Sequence, residues 1–332
     1  MNLILTNSLD ATADYLTARL ADSCVQWCRI DTDRYIEHGS VSYRPGRAEL
    51  LLGSNCIEAS CVTNVWYRRP ERIAFPGTPG SAERAFTLRE HTEALEGFLA
   101  HVSPTKWINH PTANARASQK IEQLTSARRL GLKVPDTILT NSLEQALEFY
   151  DQNGGHVVAK PISDGQVGEN GGGDFSLIYT NLVDRRDLEA AESLGNCPTL
   201  FQQYIDKMAD VRVTVLDGIV HAVALKRVGP NGKQICDIRR DNMLHVHYAR
   251  VELPEPVSCL VHSLLNYYGL RFAALDFVID FSGSWYFLEV NPNGQWAWLD
   301  QAGVTSIGDT FLQVFTGRGT EPRTATSIVS EA

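Results

Sequence analysis

Two carboxylates and an amide near the end of the chain have a spacing that brings them together. Two apolar runs flank a four-residue turn and predict a β-hairpin, residues 275–280 and 285–293. With Asp280 opposite Trp285, Asp276 lies directly opposite Glu289, and side-chain alternation places Asn291 on the same face. The repulsion between the paired carboxylates requires a cation, and such oxygen donors suit Mg²⁺ bound to phosphates. A solvated polar face is the alternative.

A glycine-rich segment follows a short apolar strand in the middle of the chain. Residues 164–173 contain five glycines, including Gly165 and Gly168. Because glycines lack side chains, their backbone amides can approach phosphate oxygens closely, although a flexible loop is the alternative interpretation. The segment lacks the Gly-Lys-Ser/Thr of a P-loop, and no helix clearly opens on it as a dinucleotide-binding fingerprint requires.

Two lysines near this segment are candidates for binding a polyphosphate. Lys160 ends the apolar strand 156–160, where a charged side chain needs an anionic partner. Lys120 lies in the preceding helical stretch and, taken alone, has the pattern of an exposed helix lysine. Placed on two different elements, the two ammonium groups can bracket one polyphosphate.

A second hairpin carries a polar face and an apolar face. Asp217-Gly218 predicts a two-residue turn. The resulting register pairs Val211, Val213 and Val215 with Ala224, Ala222 and Val220 on the apolar face. Arg212, Thr214 and His221 lie on the opposite face, which can meet a ligand. A surface position for Arg212 is the alternative.

The elements around these motifs predict three linked domains, since 332 residues are too many for one small core. A strand-helix-strand start predicts an N-terminal α/β domain over residues 1–112. A central domain over residues 113–204 begins with one helical stretch, 113–130, which Gly131 ends. The third domain covers residues 205–325 and carries the metal site.

Charge and cysteine usage exclude several classes of protein. Thirty Lys and Arg against 39 Asp and Glu give a net charge of -9, which does not favour a nucleic-acid partner. The seven cysteines are scattered without a CxxC pair, which predicts reduced thiols in the cytoplasm and no zinc site. The N-terminus does not have the pattern of a signal peptide, and no apolar run has the length of a membrane span.

In their order along the chain, these motifs resemble the ATP-grasp superfamily over about residues 105–300. The resemblance implies an α/β chain with the ATP-grasp fold, in which an N-terminal α/β domain precedes two α+β subdomains that enclose ATP. It implies that Lys120 and Lys160 contact the ATP phosphates, and that the loop with Gly165 and Gly168 closes over them.

The same resemblance implies roles around the nucleoside and the metal. Gln202, Tyr204 and Ile205 match the hinge that holds adenine, partly through backbone groups, and Asp210 matches the acidic residue near the ribose. Family members often have Glu where this chain has Gln202 or Gln203, so the residue that reads the adenine amino group stays open. The magnesium ligands implied are Asp276, Glu289 and Asn291.

Four further segments resemble the maturases of graspetides, the microviridin-type peptides: residues 65–70, 107–109, 131–137 and 288–296. These maturases are ATP-grasp ligases that cyclise a ribosomally made precursor peptide with a leader and a core. The resemblance implies ATP and Mg²⁺ as cofactors, Asp or Glu side chains activated as acyl phosphates, and ester or amide rings. It also implies a possible homodimer.

Two arginines are the candidates for stabilising the reacting groups. Arg212 offers forked donors to an acyl phosphate or an oxyanion, and Arg239 is the second candidate. No general base is identifiable; Asp237, Asp241 and His221 are candidates. Two other functions stay open: a small-molecule or amino-acid ligase that resembles glutathione synthetase, and a nucleotide-binding module without catalysis.

Overall fold

A computed structural model describes residues 1–74, 81–163, 165–167, 176–191, 194–229, 232, 234–243 and 245–317. The chain forms two compact units. The first contains residues 1–110 and the described residues from Ser306 onward, and the second contains Pro111–Thr305. No helix in the described ranges combines the length and the apolarity needed to cross a bilayer.

The first unit holds a parallel sheet and a smaller antiparallel sheet. Its elements up to residue 110 are β1 (Asn2–Thr6), α1 (Ala11–Ala21), β2 (Trp27–Asp31), α2 (Tyr35–His38), β3 (Gly39–Arg44), β4 (Arg47–Leu52), β5 (Asn55–Glu58), β6 (Asn64–Tyr67), α3 (Ala82–Leu99) and β7 (Trp107–Ile108). The parallel sheet has the strand order β2-β1-β6-β7, and the antiparallel sheet has the order β3-β4-β5. Every residue of β1 is buried, as expected for an inner strand of a parallel sheet. Asp10 caps α1 by accepting the backbone N–H groups of Thr12 and Ala13.

The second unit contains the motifs that predict chemistry. Its elements are α4 (Pro111–Ala117), α5 (Lys120–Leu130), β8 (Thr137–Thr140), α6 (Leu143–Gln152), β9 (Val157–Lys160), β10 (Gln166–Val167), β11 (Ser176–Leu177), β12 (Asn181–Val183), α7 (Arg185–Glu189), β13 (Thr199–Gln203), β14 (Lys207–Leu216), β15 (Ile219–Lys226), β16 (His247–Arg250), α8 (Glu255–Tyr268), β17 (Phe272–Asp280), β18 (Trp285–Asn291) and α9 (Ala297–Gln301). The last described helix, α10 (Ile307–Thr316), belongs to the first unit.

Two antiparallel sheets organise the second unit. The small sheet has the order β12-β9-β13-β8, and the large sheet has the order β16-β15-β14-β17-β18. One face of the large sheet packs against α5 and α8 through a continuous core that includes Val213, Leu264 and Leu275. The small sheet packs against α6 and α7 through a smaller cluster that includes Phe149 and Phe201. Each sheet therefore buries one face and leaves the other for polar side chains.

The register of the β14–β15 hairpin is confirmed. Asp217 and Gly218 both have positive φ, 47° and 83°, as a tight hairpin turn requires. Val213 pairs with Ala222, and Thr214 pairs with His221. The valines therefore face the core, and Arg212 lies on the opposite face, as the alternation of side chains predicts.

The single helical stretch predicted over residues 113–130 is wrong, because the structure has two helices there. Gln119 has extended backbone angles, φ -80° and ψ 96°, and separates α4 from α5. Lys120 is therefore the first residue of α5, where the unpaired N–H groups and the positive end of the helix dipole lie. The predicted end is confirmed, since Gly131 follows α5 with φ 104°.

Candidate active site

Residues of both sheets line one cavity in the second unit, with a volume of about 560 Å³. The predicted site residues that line it are Lys120, Lys160, Gln202, Tyr204, Ile205, Asp210, Arg212, Arg239, Asp276, Glu289 and Asn291. Gly165 is described but does not line the cavity, and Gly168 lies outside the described residues. The structure thus brings together residues from distant parts of the chain, while their individual roles stay predictions.

Three charged side chains form a row across neighbouring strands of the large sheet. Arg212 on β14 is the direct cross-strand partner of Asp276 on β17, and Asp276 is the direct partner of Glu289 on β18. Asn291 occupies the next position on the same side of β18, opposite Ala274. We call Arg212, Asp276 and Glu289 the charged row.

The predicted pairing of Asp276 with Glu289 is confirmed, but the predicted turn is wrong. Trp285 pairs with Ile279 rather than with Asp280, so the loop, residues 280–284, is one residue longer than predicted. Gly283, with φ 82°, lets the chain reverse there. A bulge between Asp276 and Phe277 then shifts the register by one residue and restores the pair.

Each carboxylate of the charged row has one cation beside it. Arg212 Nε lies 3.3 Å from Asp276 Oδ1, and Lys120 Nζ lies 3.6 Å from Glu289 Oε2. Burial raises the pKa of Asp276, and the adjacent Glu289 raises it further, although Arg212 opposes both effects. Burial also acts to raise the pKa of Glu289, but Lys120, Lys160 and Arg212 lower it overall. Glu289 is therefore favoured in its ionised form, whereas Asp276 needs a further cation to stabilise its negative charge.

The donor set of this site fits magnesium. Asp276, Glu289 and Asn291 offer hard oxygen atoms on one face, and the partial charge balance leaves room for a divalent ion. Asn291 Oδ1 accepts the N–H of Asn293 at 3.0 Å, which fixes its orientation. Among the described residues, no group of three or more His, Cys, Asp or Glu side chains is arranged to hold a metal ion. Magnesium usually completes its shell with phosphate oxygens and water.

Lys160 is held by neutral partners on the small sheet. Its Nζ donates to Gln202 Oε1 at 2.9 Å, and Gln202 Nε2 donates to Thr137 Oγ1 at 2.9 Å. Gln202 is only 2% exposed, and both its side-chain oxygen and its side-chain nitrogen form hydrogen bonds within the protein. Burial lowers the pKa of Lys160 to about 8, partly countered by Glu289. A half-buried lysine whose ammonium has a neutral hydrogen-bond acceptor is suited to bind an anion such as phosphate.

The hinge after β13 exposes backbone groups to the cavity. The N–H of Gln203 donates to Asp136 O at 2.8 Å, and the N–H of Tyr204 donates to His156 O at 2.8 Å. In the described part of the chain, the backbone of Ile205 forms no hydrogen bond, and Ile205 lines the cavity. Its N–H and C=O are therefore suited to the polar edge of a base. Because the side-chain amide of Gln202 is already hydrogen-bonded within the protein, Gln203 is the better candidate for contacting the adenine amino group.

Asp210 lines the cavity with a lysine that the sequence did not single out. Lys207 Nζ lies 2.7 Å from Asp210 Oδ1 and also donates to Cys236 O at 2.8 Å. Gln234 Nε2 reaches Asp210 Oδ2 at 3.4 Å. The side chain of Lys207 is buried. Its position at the start of β14, directly after the predicted hinge, is the feature of the sequence that could have identified it.

Arg239 is oriented by a neighbouring carboxylate. Its Nε and Nη2 donate to the two oxygens of Asp237 at 2.9 and 2.6 Å. The Arg239 side chain is 60% exposed, whereas that of Asp237 is 5% exposed. Asp237 therefore serves Arg239 as a buried anchor. His221 does not line the cavity, and the side chain of Asp241 lies outside the described part of the structure.

Both the backbone conformation at position 165 and the atoms packed against it require a glycine there. It has φ 76°, and a Cβ atom there would lie 2.7 Å from Ile178 O. The N–H of Ile178 donates to Gly165 O at 2.8 Å. This hydrogen bond joins the start of the glycine-rich segment to Ile178, which follows the segment in the sequence.

Two family profiles match consecutive parts of the chain. The MvdD pre-ATP grasp domain matches residues 1–115. The prokaryotic glutathione synthetase ATP-grasp domain matches residues 122–291, just over half of the chain. No curated protein sequence matches the chain.

Solved structures of similar enzymes cover nearly the whole chain. Macrocyclase MdnB from Microcystis aeruginosa MRC is 27% identical, with a TM-score of 0.72 over 95% of this chain and 98% of that chain. A RiPP-associated ATP-grasp ligase from Chryseobacterium gregarium, in complex with ADP and a leader and core peptide, is 26% identical, with a TM-score of 0.82 over 96% and 97%. Macrocyclase MdnC from Microcystis aeruginosa MRC, bound with precursor peptide MdnA, is 24% identical, with a TM-score of 0.80 over 96% and 100%.

These matches confirm the fold class predicted from the sequence. The α/β architecture, the two sheets around the cavity and the profile over residues 122–291 agree with one another. The chain therefore belongs to the ATP-grasp family of ligases.

Proposed function

We propose that this ligase closes rings in a ribosomally made precursor peptide. The observation that carries the proposal is the charged row, with Lys120 and Lys160 on the same cavity. The row supplies metal ligands and cations where a phosphoryl group would pass to a carboxylate. Two similar enzymes, 26% and 27% identical, are a RiPP-associated ligase and a macrocyclase, which points to a peptide substrate.

The reaction proceeds in two displacements. An Asp or Glu side chain of the peptide attacks the γ-phosphorus of ATP, so a carboxylate oxygen–phosphorus bond forms and ADP leaves. A hydroxyl or amine of the same peptide then attacks the acyl carbon, and phosphate leaves with the electron pair. The nucleophile loses its proton, so the peptide as a whole loses one water for each ester or amide ring.

The nucleotide would bind along the cavity from the hinge to the charged row. The backbone of Ile205 would meet adenine, and Asp210, which also lines the cavity, would lie near the ribose as the family resemblance implies. Lys120 and Lys160 would contact the phosphates, because their ammonium groups approach the cavity from α5 and β9. Asp276, Glu289 and Asn291 would hold Mg²⁺, which would neutralise phosphate charge during transfer.

Two arginines would act on the peptide side. Arg212 is bound to Asp276 through Nε, and its terminal nitrogens would donate to the acyl phosphate or to the oxyanion. Arg239 would bind the carboxylate that is to be activated, since a planar guanidinium matches two carboxylate oxygens. Both are proposed as catalytic residues.

The proposed setting is the cytoplasm, with the precursor peptide as the partner and a homodimer as the expected assembly. All seven cysteines are free thiols, as a reducing compartment would keep them. The dimer rests on the family resemblance alone. Light scattering of the purified protein measures it directly.

The decisive experiment incubates the protein with ATP, Mg²⁺ and a candidate precursor encoded beside its gene. We expect the mass of the peptide to fall by about 18 units per ring, only with ATP present. ADP release should match the number of rings formed. The Glu289→Gln variant is the control for metal-dependent chemistry.

A different outcome would reassign the substrate. If the peptide mass stays constant while free amino acids stimulate ADP release, the enzyme is a small-molecule ligase. If neither substrate stimulates ADP release although nucleotide binds, the chain is a nucleotide-binding module and the proposal is wrong.

A further inference from the structure

A buried carboxylate beside the cavity has four hydrogen bonds but no assigned role. Asp237 Oδ1 accepts from the backbone N–H of Arg239 at 3.1 Å and from its Nε at 2.9 Å. Asp237 Oδ2 accepts from Arg239 Nη2 at 2.6 Å and from the backbone N–H of Thr180 at 3.0 Å. Burial acts to raise the pKa of Asp237, but these donors lower it overall. A saturated, ionised carboxylate is poorly suited to be a general base.

The partners of Asp237 belong to segments that connect to different sheets. Thr180 directly precedes β12 of the small sheet, whereas Asp237 and Arg239 lie between β15 and β16 of the large sheet. Arg240 strengthens the same connection by donating to Asn181 Oδ1, and its guanidinium lies 5.8 Å from the ring of Tyr179. We call Asp237, Arg240, Thr180 and Asn181 the clasp.

The clasp leaves part of Arg239 free for a ligand. A guanidinium has five N–H donors, and the two side-chain bonds to Asp237 use two of them. Asp237 is the main cause that raises the pKa of Arg239, and Glu289 and Asp276 raise it as well, so the charge of Arg239 also interacts with the carboxylates of the charged row. Arg239 is 60% exposed, so without Asp237 its long side chain would sample many rotamers.

We propose that Asp237 is a positioning residue that holds Arg239 toward the reacting carboxylate. Through its hydrogen bond with Thr180, it also fixes the position of Arg239 relative to the small sheet. The inference rests on the proposed function of Arg239. A guanidinium held in one position promotes the reaction better than a mobile one, because a displacement of about 1 Å in a reacting group can reduce the rate by about 100-fold. Asp237 thus acts through Arg239 and does not itself touch the substrate.

A double-mutant cycle in the full-length protein tests this role. We expect D237N to lower kcat by about 100-fold with KM for ATP changed less than about threefold, since the nucleotide contacts stay in place. R239Q should lower kcat by a similar or larger factor. The double variant should be no slower than R239Q alone, because the positioning residue has nothing left to position. The matched control is D151N, which removes an exposed ion pair between Asp151 on α6 and Arg185 on α7 and should stay within about twofold of wild type.

Multiplicative losses in the double variant would overturn the proposal, because they would give Asp237 a role independent of Arg239. Thermal midpoints of all variants show whether a loss of kcat follows from unfolding. If D237N does not fold, the same cycle is run with D237E, which keeps the charge and displaces it by one methylene.

The cycle stays informative if the proposed substrate is wrong. Ring formation and ADP release are measured in parallel for every variant. If wild type releases ADP with free amino acids but forms no rings, the proposed function fails. The ADP-release cycle then still decides whether Asp237 acts through Arg239.

Discussion

The two sheets that line the cavity differ in strand length, in core and in the charges they carry. The four longest strands of the large sheet have seven to ten residues, whereas those of the small sheet have three to five. The large sheet rests on one continuous core, and the small sheet on a smaller cluster around Phe149 and Phe201. The charged row belongs to the large sheet, whereas Lys160 and Gln202 belong to the small sheet.

This difference between the sheets matches how precisely each type of ligand contact must be positioned. A magnesium ion requires near-octahedral geometry and short bonds to its ligands, so those ligands belong on a well-supported sheet. A lysine ammonium is a compact charge on a flexible stem and tolerates larger displacements of its phosphate partner. We infer that the large sheet fixes the geometry of the reaction and that the small sheet supplies adjustable phosphate contacts.

The largest expected effect comes from breaking the charged row. Glu289→Gln should lower ring formation or ADP release by about 1000-fold, because one metal-binding charge is lost from the site. The thermal midpoint should fall only slightly, because the loss of the ion pair with Lys120 is partly offset by relief of the repulsion with Asp276. Glu148→Gln, at an exposed position on α6, is the matched control. Turnover close to wild type in Glu289→Gln would contradict the metal assignment.

A smaller effect is expected from the phosphate side. Lys160→Met should weaken binding of ADP with Mg²⁺ by about 100-fold, the loss of one or two charge-assisted hydrogen bonds. Titration calorimetry measures the affinity. Lys226→Met is the control, because Leu225 lines the cavity and the exposed Lys226 points to the other face of β15. Equal nucleotide affinities in the two variants would show that Lys160 does not contribute to nucleotide binding.

The pH dependence of nucleotide binding sharpens the contrast between the sheets. Burial lowers the pKa of Lys160 to about 8, and only the ammonium form can bind phosphate as a cation. Affinity should therefore be steady below about pH 8 and fall above it, by up to about tenfold per pH unit. The same titration with Lys160→Met should lack this decline. An identical decline in both proteins would assign it to another group.

The smallest expected effect concerns the support of Lys160. Thr137→Val removes the hydroxyl that accepts from Gln202, and so loosens the amide that holds Lys160. The expected loss in nucleotide affinity is about fivefold, corresponding to about 1 kcal/mol. Thr125→Val on α5, whose hydroxyl donates only to a helix carbonyl, is the control. An unchanged affinity in Thr137→Val would mean that the small sheet holds Lys160 without Gln202.

Local patterns predicted the hairpins because their pairing depends on nearby residues. Alternating apolar residues and the Asp217-Gly218 turn are sufficient to define the β14–β15 register, which the structure confirms. The pair of Asp276 and Glu289 was also predicted correctly, although from a turn that is one residue too short. The bulge in β18 compensated for that difference, and no sequence pattern signals such an insertion reliably.

The sequence by itself determined the residue types of the site, their order and the two hairpins that present them, because periodicity and turn chemistry act over a few residues. Only the tertiary structure placed Arg212 beside Asp276, since β14 and β17 are far apart in the chain and pair through long-range packing. The same holds for Gln202 with Lys160 and for Asp237 with Thr180. These contacts require the closure of long loops and a burial that exists only in the folded protein, which is why the charge balance of the site emerged with the fold.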